Sequence, residues 1–189
     1  MARTLSSMVE LGTSAPPFTL QDPAGRSHSL DDASASPVVL IAFISNHCPF
    51  VKHLANEFAS VSKEYASRGV ATFAIMPNDV EEYPEDAPPR MTEEARERNY
   101  DFPYLFDVDQ RIAQAYQATC TPDFFVYGPD RTLLYRGQFD DSRPNAGSAN
   151  GKDLRDALDD ILADRPVTGP QKPSLGCNIK WKAGNAPST

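Results

Sequence analysis

The chain has 189 residues, with 40 % apolar and 10 % aromatic side chains and a formal net charge of -8. That is enough for one domain with a proper core, and it excludes the disordered class, whose chains lack such side chains. The acidic balance argues against nucleic acid or an anionic membrane as partner, and no apolar run nears the roughly 20 residues needed to cross a bilayer.

The first residues, MARTLSSMVELGTSAPPF, lack the apolar stretch of a secretory signal, so a cytoplasmic, reducing setting is the expectation. PFTLQDPAGRSHSLDD predicts two short strands around a Pro-Ala-Gly turn. VVLIAFI, residues 38–44, is a continuous apolar run rich in β-branched residues, as in a strand buried on both faces. After Cys48 and Pro49, the spacing of Val51, Leu54, Phe58, Val61 and Tyr65 predicts a helix that Gly69 stops. VATFAIM, residues 70–76, is a second buried strand, and strand–helix–strand at this spacing marks a parallel βαβ unit.

The acidic, proline-rich PNDVEEYPEDAPPR predicts a solvated surface loop, since its carboxylates fit no calcium-loop spacing. Short helices are expected around 92–99 and 109–117, then a hairpin in DFFVYGPDRTLLYRG. GKDLRDALDDILADR predicts an amphipathic helix, capped by Asn150, with Leu154, Leu158 and Ile161 inward. The Pro- and Gly-rich end is expected to dock as an extended segment in which Ile179 and Trp181 alternate and the tryptophan is buried. The expected divisions are a lead segment over 1–16, the main domain over 17–165 and a docked tail over 166–189.

Cys48, Cys120 and Cys177 are too few and too scattered for a disulfide framework or a zinc site, so each is judged by its surroundings. Cys48 stands where a buried strand gives way to a helix, and Pro49 suits the first helical turn because its missing N–H would have no partner there. The free amides and positive dipole end of a helix start stabilise a thiolate. Cys48 is therefore the expected nucleophile. His47 could share a proton with it or be a solvated loop residue, and Lys52 and His53 read as surface residues on the first turns. Cys120 is either a resolving thiol or apolar filler, with filler slightly preferred. Cys177, beside Gly176, is read equally as a packing residue or as a resolving thiol carried back over the domain.

FISNHCPFV resembles the thioredoxin-fold active site, a strand leading to Cys-x-x-Cys at a helix start, with Val51 in place of the second cysteine. CTPDFFVYGPDRTLLYRG resembles the segment of that fold carrying a cis-proline opposite the thiol, which implies that role for Pro122, with the Thr121 backbone offered to substrate. The further motifs NDVEEYPEDAP, FPYLFD and GCNIKWK are similar to the peroxiredoxin-like, or redoxin, branch, over about residues 18–181. Two departures stand out. Ser45-Asn46-His47-Cys48 replaces the Cys-Asn-His-Cys of many relatives. Ser45 matches the hydroxyl of the peroxiredoxin pattern Pro-x-x-x-Thr/Ser-x-x-Cys, but Ile41 stands at its proline.

The resemblance implies an α/β, thioredoxin-like fold, with a central mixed sheet flanked by helices, an N-terminal β extension and a C-terminal tail. It implies a thiol-based oxidoreductase in which Cys48 acts on disulfides or peroxides, Cys177, Cys120 or an outside thiol then releases it, and Ser45, His47, Pro49, Thr121 and Pro122 contact substrate. Alternatives are a peroxiredoxin-type peroxidase and a non-catalytic binding module. No metal, flavin or nucleotide cofactor is implied, and the expected partners are a disulfide or peroxide substrate and a thiol reductant.

Overall fold

A computed structural model describes residues 3–187. Its centre is the strand Val38–Phe43 (β4, preceded by β1 Arg3–Leu5, β2 Thr19–Gln21 and β3 Ser27–Ser29), every residue of which is buried. Helix α1 (Pro49–Ala66) follows, then β5 (Val70–Met76), which pairs parallel to β4 in full register from Val38↔Val70 to Phe43↔Ile75. Because side chains alternate along a strand, β4 feeds two cores. Val38, Leu40, Ala42 and Ile44 pack with Val51, Leu54, Phe58 and Val61 of α1. Val39, Ile41 and Phe43 pack on the other face with Phe73, Phe125 and Tyr127. Phe58 alone meets Phe102, Phe124 and Phe139 at ring distances of 5.1–6.3 Å. Removing such a buried ring costs about 3–5 kcal/mol.

The chain continues through α2 (Pro88–Glu97), β6 (Tyr104–Phe106), α3 (Arg111–Ala115), β7 (Cys120–Thr121), β8 (Asp123–Tyr127), β9 (Leu133–Gly137), α4 (Lys152–Leu162) and β10 (Leu175–Asn178). The main sheet runs β3-β2-β6-β5-β4-β8-β9, parallel across β4, β5 and β6 and antiparallel elsewhere. A second sheet, β1-β10-β7, is antiparallel throughout. No helix among the described residues is long and apolar enough to cross a membrane.

Several local expectations are corrected. Helix α2 starts four residues early, at Pro88-Pro89, because prolines fit a first turn whose amides need no partner. Helix α3 is trimmed at its start by Gln110, which has φ 64°, while Asp107 accepts the amides of Ile112 and Ala113. Strands β1, paired with β10, and β6, paired with β5 and β2, are additions to the expected elements. Trp181 is half-buried, since β10 ends at Asn178, although Ile179 is fully buried.

The tail is held by close backbone approach. A Cβ on Gly176 would lie 2.0 Å from the Thr121 carbonyl oxygen, so only glycine lets β10 pair there with β7. That pairing lays the tail over the start of α1.

Candidate active site

Cys48 occupies the N-cap of α1 with extended backbone (φ -67°, ψ 121°), and Pro49 opens the helix. No acidic residue stands in the first turn to compete for its amides. The peptide between Thr121 and Pro122 is cis, and it sits where β7 passes into β8. The Thr121 carbonyl oxygen lies 3.1 Å from Cys48 Sγ. Cys177, directly opposite Thr121 in the β10–β7 register, brings its Sγ to 3.0 Å from Cys48 Sγ. A covalent S–S bond is about 2.05 Å long, so the two sulfurs are about 1 Å from bonding distance.

This setting lowers the Cys48 thiol from 9.0 to about 6. The Cys177 thiol, as donor to the sulfur anion, has the largest effect. Burial opposes it, while the amides of Val51 and Cys177 and the Thr121 side chain add to the lowering. The same shared proton, with burial, pushes Cys177 far up, and Lys180 works against that rise. The pairing thus favours the charge on Cys48 and the proton on Cys177.

Cys120 is equally buried but its Sγ faces the Pro122 carbonyl oxygen at 3.6 Å, and burial raises its thiol well above the usual range. The thiol beside Cys48 is that of Cys177. Ser45 Oγ is buried 3.2 Å from Thr121 Oγ1, which links it to the sulfur through one hydroxyl. Ile41 packs in the core on the opposite face of β4 from Cys48. His53 Nε2 is 2.8 Å from Ser142 Oγ, and Lys52 is exposed.

The acidic loop is not simply solvated. Asp86, in a single 3-10 turn, is fully buried and accepts the amides of Asn46 (2.8 Å) and His47 (3.2 Å). It also meets His47 Nδ1 at 2.6 Å and the Asn78 side-chain amide at 2.7 Å. His47 stacks on Tyr83 with centroids 5.3 Å apart and planes 14° apart, and Lys180 Nζ lies 5.5 Å over that same ring. The Lys180 amide donates to Asn78 Oδ1 at 2.9 Å. One carboxylate thus fixes the residues just before Cys48, and its loop is tied to the tail that carries Cys177. Charge counting misses Asp86 because a carboxylate in an acidic run has no pattern to separate it from its solvated neighbours. Its signal was the motif NDVEEYPEDAP as a whole. Among the described residues no group of three His, Cys, Asp or Glu side chains is arranged to hold a metal ion.

A cysteine at the mouth of a strand–helix junction, facing a cis-proline on a mixed sheet, defines a thioredoxin-fold protein of the peroxiredoxin-like branch. The AhpC/TSA family pattern matches residues 11–136, and the chain belongs to that family. The chain is similar to a hypothetical protein from Sinorhizobium meliloti 1021, with 46 % identity, a TM-score of 0.94, and 96 % of this chain and 100 % of that one covered. An uncharacterized conserved protein from Geobacillus kaustophilus is similar at 48 % identity and TM-score 0.93, over 96 % of this chain and 97 % of that one. Peroxidoxin BcpB from Mycobacterium tuberculosis shares the fold at 19 % identity and TM-score 0.60, over 82 % and 97 % of the two chains. No curated protein matches.

Proposed function

We propose that the protein is a cytoplasmic thiol oxidoreductase whose working couple is Cys48 and Cys177, acting on disulfides or peroxides. The observation that carries this reading is the 3.0 Å separation of the two sulfurs, with the Cys48 thiol made more acidic than usual and the Cys177 thiol less. With a disulfide, the Cys48 thiolate attacks one sulfur, expels the other as a thiolate and is left in a mixed disulfide. With a hydroperoxide it takes one oxygen, releases an alcohol or water and becomes a sulfenic acid. In both cases the charge on Cys48 is gone. The largest cause holding the proton on Cys177 goes with it, while Lys180 still favours the thiolate. Cys177 then attacks Cys48 sulfur, releasing the substrate thiolate or water and closing the Cys48–Cys177 disulfide. Cys48 has no exposed surface at rest, so its oxidant enters as the Cys177 side chain swings aside. An outside thiol returns the couple to its reduced state.

Peptide mapping under non-reducing conditions after mild oxidation tests this. A Cys48–Cys177 linked peptide is expected. Recovery of Cys48 unmodified, with the label on Cys120, would refute the assignment and favour a binding module that merely keeps the fold.

A further inference from the structure

A groove of about 350 Å³ opens on Cys177 rather than on Cys48. Its walls include Phe50 and Leu175, together with two arginines, Arg3 and Arg143. Arg3 lies directly opposite Cys177 in the β1–β10 register, and residues so paired project from the same face of a sheet. In a chain with 26 acidic and 18 basic residues, two arginines lining one groove with no direct ion pair are unexpected, although the Asp141 carboxylate feels the Arg143 charge. Neither arginine forms an ion pair with a carboxylate among the described residues. The nearby acids are already engaged. Asp140 accepts from Ser142, Asn150 and Gly151, and Asp141 pairs with Lys172. Arg143 donates to the carbonyls of Asp140 and Ser142 and to Gln138 Oε1, neutral acceptors that hold its head in place.

From this geometry we infer that the groove binds the reductant of the oxidised protein, a low-molecular-weight thiol carrying carboxylates, and delivers its sulfur to Cys177. The inference rests on the Cys48–Cys177 couple proposed above. The thiolate attacks Cys177 Sγ, the Cys177–Cys48 bond breaks, and Cys48 leaves as the thiolate that its helix start stabilises. A second molecule of the thiol attacks the mixed disulfide on Cys177, giving the small-molecule disulfide and a reduced Cys177. Two thiols are oxidised and one protein disulfide is reduced. Attack at Cys177 is favoured twice, because it is the sulfur that the groove reaches and because exchange is faster when the departing thiol is the more acidic. The volume suits a small molecule, since ligand pockets run about 300–1,000 Å³.

The test starts from protein oxidised to the Cys48–Cys177 disulfide and checked by mass before any thiol is added. Its reduction is timed with thioglycolate and glutathione (anionic), 2-mercaptoethanol (neutral) and cysteamine (cationic), each rate divided by the thiolate concentration present. The anionic thiols are expected to win by about tenfold at low salt and to lose most of that lead near 1 M salt, where the Debye length is about 3 Å. Arg3→Glu, at an exposed site on an edge strand, is expected to erase the lead without changing the fold. Arg143→Gln is expected to do the same, and Arg143→Lys to retain part of it. Equal rates for all charges, a faster cationic thiol, or reduction only by a protein dithiol would overturn the inference. If the disulfide never forms, the starting mass shows it, and the underlying couple is what has failed.

Discussion

Helices α1 and α4 begin with the same physical problem, a cluster of backbone amides with no partner inside the helix, and solve it differently. At α4 the entry is filled with oxygen. Asp140 accepts the amides of Asn150 (2.6 Å) and Gly151 (2.7 Å), Asn150 Oδ1 accepts that of Lys152 (2.9 Å), and Asp153 stands in the first turn. Burial works against the Asp140 charge, but the Ser142 hydroxyl and these amides hold its carboxyl below the usual range. At α1 the carboxylate of Asp86 takes only the amides of Asn46 and His47, before the cap, and no acid stands in the first turn. Proline removes one amide, and that of Val51 turns to the sulfur of Cys48. The first start carries a charge that stays put at any ordinary pH. The second carries one that is lost when its sulfur is protonated or oxidised, and a helix start becomes a reactive site when its anion can leave.

Exchanging the roles of the two starts gives the largest expected effect. Cys48→Ser should lower disulfide or peroxide turnover by roughly three orders of magnitude or more, because a hydroxyl cannot replace the thiolate. Asp140→Ala should leave turnover unchanged. A chromogenic disulfide assay on both proteins checks this, and substantial activity in Cys48→Ser would dissolve the distinction.

The charge at α1 can next be followed by pH. Iodoacetamide labelling of Cys48 should inflect near pH 6, the thiol being protonated below it and mostly thiolate at neutrality. Cys177→Ala removes the largest cause of the lowering, and the inflection should move up toward the free-thiol value of about 8.5. An unmoved inflection would show that the helix amides alone hold the charge.

The start of α4 should answer in stability instead. Asp140→Ala strips a charged acceptor from two amides and is expected to cost roughly 1.5–3 kcal/mol in urea unfolding. Asn150→Ala, which removes one neutral acceptor, should cost about 0.5–1 kcal/mol. Neither should move the Cys48 inflection.

Gly151, with φ 65°, rather than Asn150, takes the N-cap of α4, yet the Asn150 side chain still reaches the Lys152 amide. The sequence expectation was therefore one position out in geometry and right about the acceptor. Cys120 and Cys177 show the limit more sharply. Both are near β7, both are buried, and nothing in local composition says which thiol turns toward Cys48. The register Cys177↔Thr121 places one beside it, and the neighbouring Cys120↔Asn178 pair leaves the other on the Pro122 carbonyl. Asp86 was hidden for a different reason. Its partners at Asn46, His47 and Asn78 lie 40, 39 and 8 positions away, beyond any period that a helix or strand imposes.

The amino-acid order by itself determined the βαβ core and the position of Cys48 at a helix start. Both follow from local rules, the continuous apolar run of VVLIAFI and the tolerance of proline in a first turn. Tertiary structure alone decided which sulfur faces Cys48, that Asp86 is a buried anchor, and that Arg3 stands opposite Cys177. The first and third depend on the register of β10 with β7 and β1 and on the absence of a side chain at Gly176, the second on hydrogen bonds from Asn46, His47 and Asn78. A one-residue slip of β10 would turn Cys177 to the other face, and no short-range pattern records which register closes.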